Sequence, residues 1–417
     1  MRTTRRGFVR AAGAGVVGAS LAPRLARGQG PAVSTGRSFD VAVVGAGAFG
    51  AWTAWHLRRA GRSVALIDAY GPGNARASSG GQTRVIRMGY GDQEVYTRWS
   101  LRSLALWREL LAKAGYPERL QISGVLWMAR ERDPLTTRTL ETLTRLGVRH
   151  ERLERAALQA RWPQIELGPL TWAIHEPESG FLEAFAAVQA VAEQAIGAGV
   201  AYRQAKVLPL LDRGPLGALR TADGESVSAG TYVLACGPWL PKLCPGVLGN
   251  RIFPTRQEVF YFGVPAGDRR FASSSLPVWV DFAEEIYGIP DFKGRGFKVA
   301  PDRHGPLVDP DSLERVASPD TLARVREFVA RRFPAMKDAP LVASEVCQYE
   351  NTSNGDFLID RHPALPNVWL VGGGSGHGFK HGPAVGEYVA ARVADGAAVD
   401  AKFSLATKQP VQDRQVF

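Results

Sequence analysis

Apolar and polar positions follow two different rhythms along this chain. From Phe39 to Ala69, "FDVAVVGAGAFGAWTAWHLRRAGRSVALIDA" opens on a near-continuous apolar run and breaks at glycines. It continues with apolar residues at helical spacing and closes on a second apolar run ending at Asp68. Continuous short runs predict strands buried on both faces, and the spaced run predicts an amphipathic helix, so the segment reads as a βαβ unit. A second helical pattern covers Asp92 to Ala114, followed by "GVLWMARE" as a strand. "SGFLEAFAAVQAVAEQAIGAGVAYR" predicts a helix leading into a strand, and "SAGTYVLACGPW" a buried strand halted by glycine and proline. From Phe253 to about Pro310 the rhythm changes. "EVFYFGV", "LPVWVDF" and "EIYGIPDFKGRGFKVAP" are short β-branched and aromatic runs between turns, the pattern of an antiparallel sheet. "LARVREFVARRFP" predicts a helix, and "NVWLVGGGSGHGFKHGPAVGEYVAARVADG" returns to strand, glycine loop and helix.

The pattern predicts an α/β chain in which a Rossmann-like domain, a parallel sheet with helices, is interleaved with an antiparallel-sheet domain. The first takes residues 38–120, 180–245 and 345–400; the second takes 121–179 and 246–344, leaving 401–417 as a C-terminal tail. Within the βαβ unit, Gly45, Gly47 and Gly50 form GxGxxG, and Asp68 lies 18 residues past the last glycine. Glycines there let the backbone approach a pyrophosphate lying on a helix N-terminus, and the acid meets a ribose hydroxyl, so dinucleotide binding follows.

Composition adds an N-terminal feature. The formal charge is +11, yet residues 1–28 carry Arg2, Arg5, Arg6, Arg10, Arg24 and Arg27 and no acid, so the remainder holds 45 basic against 40 acidic side chains. That mild excess offers no case for a nucleic-acid partner. "TRRGFVR" followed by "AAGAGVVGASLAP" has the paired arginine and weakly apolar run of a twin-arginine export signal. The expectation is a signal over 1–28, cleaved near Ala26-Arg27-Gly28, a linker over 29–37, use of the twin-arginine export machinery, and a periplasmic or extracellular protein. The run is too short and glycine-rich for a stable membrane anchor. Three cysteines, Cys236, Cys244 and Cys347, make no CxxC pair, and seven histidines form no HxH or HExxH, so neither a disulfide framework nor a metal site is expected.

GxGxxG alone does not choose between NAD and FAD. "ASSGGQTRVIRMGYGD", "VLACGPW" and "GGGSGHGFKHGPAVGE", in that order, resemble the FAD-dependent amine oxidases of the D-amino-acid-oxidase superfamily, particularly the monomeric sarcosine oxidase and N-methyltryptophan oxidase group. The likeness runs from about Phe39 to Phe403. It implies FAD contacts from Gly45, Gly47, Phe49, Gly50, Asp68, Ser79, Thr83, Arg84, Gly237, Trp239, Gly376, Gly378, Phe379 and Lys380. It also implies a carboxylate-binding pair, Arg87 and Lys380, fitting the need of an amino-acid substrate for fixed positive charge. Tyr287 and Tyr349 would wall the substrate pocket, with Tyr349 and Lys380 counted among the catalytic side chains. Lys298, in "GRGFKVAP", matches the lysine that activates oxygen. Cys347, in "CQY" and 33 residues before Lys380, matches a cysteine joined as a thioether to the flavin. His377 is expected to be held in its loop, and Cys236 to be a small packing residue.

The implied reaction is oxidation of a secondary or N-substituted amino acid, such as an N-methyl or cyclic imino acid, to an imine. Oxygen would be reduced to hydrogen peroxide by a monomeric enzyme. The alternative is an exported dehydrogenase passing electrons to a quinone or another carrier. Three departures from the group pattern leave the substrate open, and one is that the pocket segment "DFAEEIYGIPDF" keeps an aromatic at Tyr287 and adds the acids Glu284 and Glu285. Asp302 stands where several relatives have histidine, four residues past Lys298 and two before His304, and Ser79 and Gly80 replace two histidines before "TR". No catalytic base is evident in the sequence.

Overall fold

The computed structural model describes residues 38–412. The expected signal and linker, residues 1–37, and tail residues 413–417 lie outside that range.

The first sheet is built from the buried apolar runs. Ser38–Val44 pairs in parallel with Val64–Asp68 on one side and Ser226–Leu234 on the other. Ala201–Gln204 and Leu365–Gly372 extend it in parallel at the two ends, and Leu358–His362 closes one edge antiparallel. Helix Ala48–Arg59 follows the first strand directly and packs with helix Gly382–Asp395 through a core that includes Trp52, Leu57, Val385 and Val389. The α/β architecture expected from the pattern is present.

Glycine is obligatory where the first strand turns into its helix. Gly45 has φ +102, and a Cβ there would lie 2.2 Å from the Ala235 carbonyl oxygen. At Gly50 it would lie 1.8 Å from the Gly45 carbonyl oxygen, so any side chain would push helix and strand apart.

The second sheet has eight strands in the order Leu341–Asn351, Phe253–Phe262, Phe297–Pro301, Ile286–Ile289, Val278–Asp281, Val125–Arg130, Leu170–Glu176 and Glu151–Glu154. It departs from a purely antiparallel sheet at one junction, where Val278–Asp281 runs parallel to Val125–Arg130. These two strands are remote in sequence, so no hairpin imposes an antiparallel sense on them. Thr83–Ile86, Gly180–Glu183 and Leu120–Gln121 form a separate three-stranded sheet. The expected domain boundary at 345 falls inside Leu341–Asn351, which pairs along its length with Phe253–Phe262.

The two faces of the second sheet differ. Phe260, Phe262, Phe297, Val299 and Trp279 pack with Phe328 and Val329 of helix Pro319–Arg332. The residues between them in sequence, Tyr261, Lys298 and Ala300, must point to the opposite face because strand side chains alternate. That face meets the first domain.

Candidate active site

Two adjoining cavities lie at this meeting. The larger, of about 400 Å³, is lined by Gly45, Gly47, Phe49, Asp68, Ser79, Arg84, Gly237, Trp239, Tyr349, Gly376, Gly378 and Phe379 among others. The smaller, of about 70 Å³, is lined by Arg87, Trp127, Tyr287, Asp302, His304 and Lys380, and shares Arg84, Tyr349, Gly376 and Phe379 with its neighbour. Gly50, Thr83, Lys298 and Cys347 line neither cavity, and Lys380 lines only the smaller.

Asp68 ends its strand with the carboxylate turned back onto the glycine loop. Its Oδ2 accepts from the Ala46 amide at 2.7 Å, and Oδ1 accepts from Tyr70 and Gly71 at 2.8 and 2.9 Å. Burial raises its pKa while those three amides act in the opposite direction. Glu350 also faces the larger cavity. Oε1 accepts from the Gly374 amide at 3.4 Å, Oε2 is buried without a partner among the described residues, and burial pushes the carboxyl up to about 7. Sequence reasoning missed Glu350, since an acid beside "CQY" carries no motif. Cys236, expected to serve only in packing, is half-buried on the wall of the same cavity.

Arg84 links the cavity to the tether candidate. Its Nη1 donates to the Thr83 carbonyl at 2.9 Å, while Nη2 donates to the Ser78 carbonyl at 2.8 Å and to Cys347 Sγ at 3.0 Å. Cys347 and Tyr349, two apart on one strand, share a face, which is why "CQY" presents both to the first domain. Gly376, at φ +78, sits so close to Tyr349 that a Cβ would be 2.7 Å from its ring.

Lys298 is buried, with Nζ donating to the Thr83 carbonyl at 2.8 Å and lying 5.7 Å from the Tyr287 ring. Burial, then the neighbouring Arg84 guanidinium, draws it down to about 7.

The smaller cavity collects charge. Arg87 stacks over Tyr90 and Trp127 at 4.3 and 4.8 Å and donates to the Gly89 carbonyl. That loop is held by Glu176, whose Oε2 accepts from the Met88 amide at 2.7 Å and whose Oε1 accepts from the Gly89 amide at 2.8 Å. Lys380 Nζ donates to the Tyr90 hydroxyl at 2.6 Å and to the His377 carbonyl at 3.0 Å. Burial and then Arg87 hold it well below the usual lysine range. His377 is buried, with Nε2 3.0 Å from the Gly355 carbonyl oxygen and its ring stacked on Phe357. Neither Tyr90 nor Glu176 was singled out from the sequence, because their partners are distant in the chain.

These residues fit a dinucleotide. The cavity volume lies in the ordinary range for ligand sites, about 300–1,000 Å³. The helix beginning at Ala48 has Gly47 at its N-cap with no side-chain cap, which leaves its positive end open to phosphate. Glu350 Oε2 and Ser78 Oγ are buried polar atoms without partners among the described residues.

A family model described as "FAD dependent oxidoreductase" matches residues 40–392. The chain belongs to this DAO family. Monomeric sarcosine oxidase of Bacillus sp. (strain NS-129) is 31% identical over 361 residues, covering 84% of this chain and 92% of that relative. N-methyl-L-tryptophan oxidase of Citrobacter koseri is 29% identical over 367 residues, covering 84% and 94%. Among solved structures, L-proline dehydrogenase from P. horikoshii superposes with a TM-score of 0.76 at 21% identity, covering 88% of this chain and 97% of that one, and so attests the fold. The protein is an FAD-dependent oxidoreductase acting on amine CH–NH groups. Among its described residues no helix is long and apolar enough to cross a membrane.

Proposed function

We propose that this DAO-family protein oxidises small secondary or N-substituted amino acids to imines, with oxygen as the electron acceptor and hydrogen peroxide as product. One observation carries the reading. Arg87 and Lys380 converge on a cavity of about 70 Å³ that opens, through Tyr349 and Gly376, onto the cavity fit for FAD. At about 10–15 Å³ per water-sized occupant, that space suits a molecule of roughly five to seven heavy atoms. When bound, FAD supplies a two-electron acceptor for hydride. Arg87 and Lys380 would hold the substrate carboxylate, fixing which carbon faces the larger cavity. Tyr349 and Tyr287 would exclude water from one side, and Lys298 in its protonated form would supply positive charge near the cofactor for reaction with oxygen.

An anaerobic panel of N-methyl amino acids, proline, pipecolate and glycated amino acids tests this. Rapid bleaching of the flavin by a small N-substituted amino acid is expected, followed by reoxidation in air within seconds with stoichiometric peroxide. Bleaching by none of the panel would refute the substrate class, and reoxidation over minutes would refute the oxidase.

The cofactor would be tethered through Cys347, a reading supported by its sulfur lying 3.0 Å from Arg84 Nη2, a group on the wall of the larger cavity. Acid-precipitated protein should then stay yellow, and Cys347→Ser should release its colour to the supernatant. Export by the twin-arginine route as a monomer completes the proposal. A tether would suit an enzyme working where lost FAD is not replaced.

A further inference from the structure

The strand Phe297–Pro301 carries two charged residues toward the site. Phe297 and Val299 pack into the core beneath helix Pro319–Arg332. Lys298 and, one residue past the strand end, Asp302 therefore fall on the opposite face, at an even separation. Asp302 is half-buried on the wall of the smaller cavity, with its Oδ1 accepting from the Tyr349 hydroxyl at 3.5 Å. Its backbone is pinned by donation of the Asp302 amide to the Glu285 carbonyl at 2.7 Å.

Arg84, Arg87 and Lys380 thus put three basic side chains, and Asp302 the one carboxylate, around a single small cavity. An amino acid with a protonated amine has the matching charges, a carboxylate for the cations and an ammonium for the anion. Such an ammonium has a pKa of about 10, so at neutral pH only about one molecule in a thousand is the free amine. Hydride loss from carbon needs the nitrogen lone pair that becomes the second bond of C=N. A proton must leave first.

Resting on the substrate class proposed above, we propose that Asp302 is the general base that binds the substrate ammonium and takes its proton. The N–H bond breaks, its electron pair stays on nitrogen, and the proton joins a carboxylate oxygen of Asp302. With FAD held in the larger cavity, the free amine would be set to lose hydride from the adjacent carbon, both electrons going to the cofactor and an iminium being left. The proton leaves Asp302 for solvent as product departs.

The surroundings suit this role. Burial raises the Asp302 pKa and makes it a better proton acceptor than an exposed aspartate, while Arg87, Lys380 and the Tyr349 hydroxyl act to lower it and Glu285 to raise it. Also in reach are the Arg84 guanidinium, the Tyr287 phenol and His304 on the same wall, and the phenol of Tyr90.

The test compares anaerobic flavin reduction by N-methylglycine in wild type and Asp302→Asn across pH. In Asp302→Asn the second-order rate near neutral pH should fall about 100-fold or more, the usual worth of a general base. It should recover about tenfold per pH unit toward the amine's own pKa, where the free amine forms unaided. Asp302→Glu, which keeps the proton-accepting oxygens, should restore much of the loss. Methylthioacetate, with sulfur in place of the amine, reports on pocket integrity through its perturbation of the flavin spectrum, and it should bind Asp302→Asn at least as tightly as wild type. A variant with intact methylthioacetate binding and a rate and pH profile within about threefold of wild type would overturn the proposal. A second measurement compares the two proteins. Methylthioacetate, an anion, should bind wild type more tightly as falling pH neutralises Asp302, a dependence that Asp302→Asn should lose, and the same pH dependence in both proteins also overturns the proposal. Failure of N-methylglycine and the rest of the amine panel to bleach wild type would count instead against the proposed function.

Discussion

Glu176 offers a stringent test of how the site is held together. Its side chain is buried at 1% exposure, and each carboxylate oxygen takes two donors. Oε2 accepts from the Met88 amide at 2.7 Å and Ser179 Oγ at 2.5 Å; Oε1 accepts from the Gly89 amide and Trp127 Nε1, both at 2.8 Å. Glu176→Gln keeps the shape and turns one oxygen into an NH₂ group facing at least one fixed N–H. One buried donor is left unsatisfied, at a cost of about 1–3 kcal/mol, and the other bonds fall from charge-assisted toward neutral strength, about 1 kcal/mol each. The variant should therefore lose about 3–5 kcal/mol, a large part of the stability of an ordinary domain. The loss should appear in the site as well as in melting, because Gly89, which Glu176 fixes through its amide, receives the Arg87 guanidinium on its carbonyl. Thermal unfolding of the flavin-loaded protein should shift down by about 5–10 °C. The KM for an amino-acid substrate and the Kd of a simple carboxylate inhibitor should each rise about tenfold, equivalent to about 1.4 kcal/mol, with flavin content unchanged. If melting falls while both constants stay within about twofold, Glu176 supports the fold without positioning Arg87, and the reasoning is refuted.

Lys298→Met should slow reoxidation by oxygen while leaving anaerobic reduction by substrate nearly unchanged, which stopped-flow absorbance would show. Lys298 is held near 7, against about 10.4 in an unfolded chain, so between those values the unfolded state binds the extra proton and the native state gains stability as pH rises. The melting advantage of Lys298→Met over wild type should accordingly shrink from about pH 7 to about pH 9. Gly376→Ala meets both a left-handed backbone, costing about 1–2 kcal/mol, and the Tyr349 ring, so turnover should fall and the flavin spectrum shift, as kinetics and absorbance would register. Arg5→Lys combined with Arg6→Lys should leave the protein in the cytoplasmic fraction on immunoblotting of separated compartments.

Local pattern was enough for the elements whose burial is dictated by near neighbours. The run from Phe39 to Asp68 could only be strand, glycine turn, helix and strand, because its apolar spacing changes period at glycines that exclude any side chain. The residues that a motif holds at short range were legible too: Gly45 and Gly47 line the larger cavity, and Gly376 and Phe379 line both. The tertiary structure alone decided what meets what across the chain. Lys298 comes to the Thr83 carbonyl, 215 residues away, because alternation on its strand turns it from the core beneath helix Pro319–Arg332 toward the first domain. Tyr90 gathers Lys380 and His381 from 290 and 291 residues further on, and Glu176 grips a loop 87 and 88 residues before it. The parallel junction of Val125–Arg130 with Val278–Asp281 was equally hidden, since no connecting turn encodes its direction. Hydrogen bonds and charge act over a few ångströms regardless of separation along the chain. The sequence specifies which groups are present, and only the packed sheet and loops set their distances, so the aspartate of "PDRHG" becomes the one carboxylate facing Arg84, Arg87 and Lys380 in a cavity of about 70 Å³.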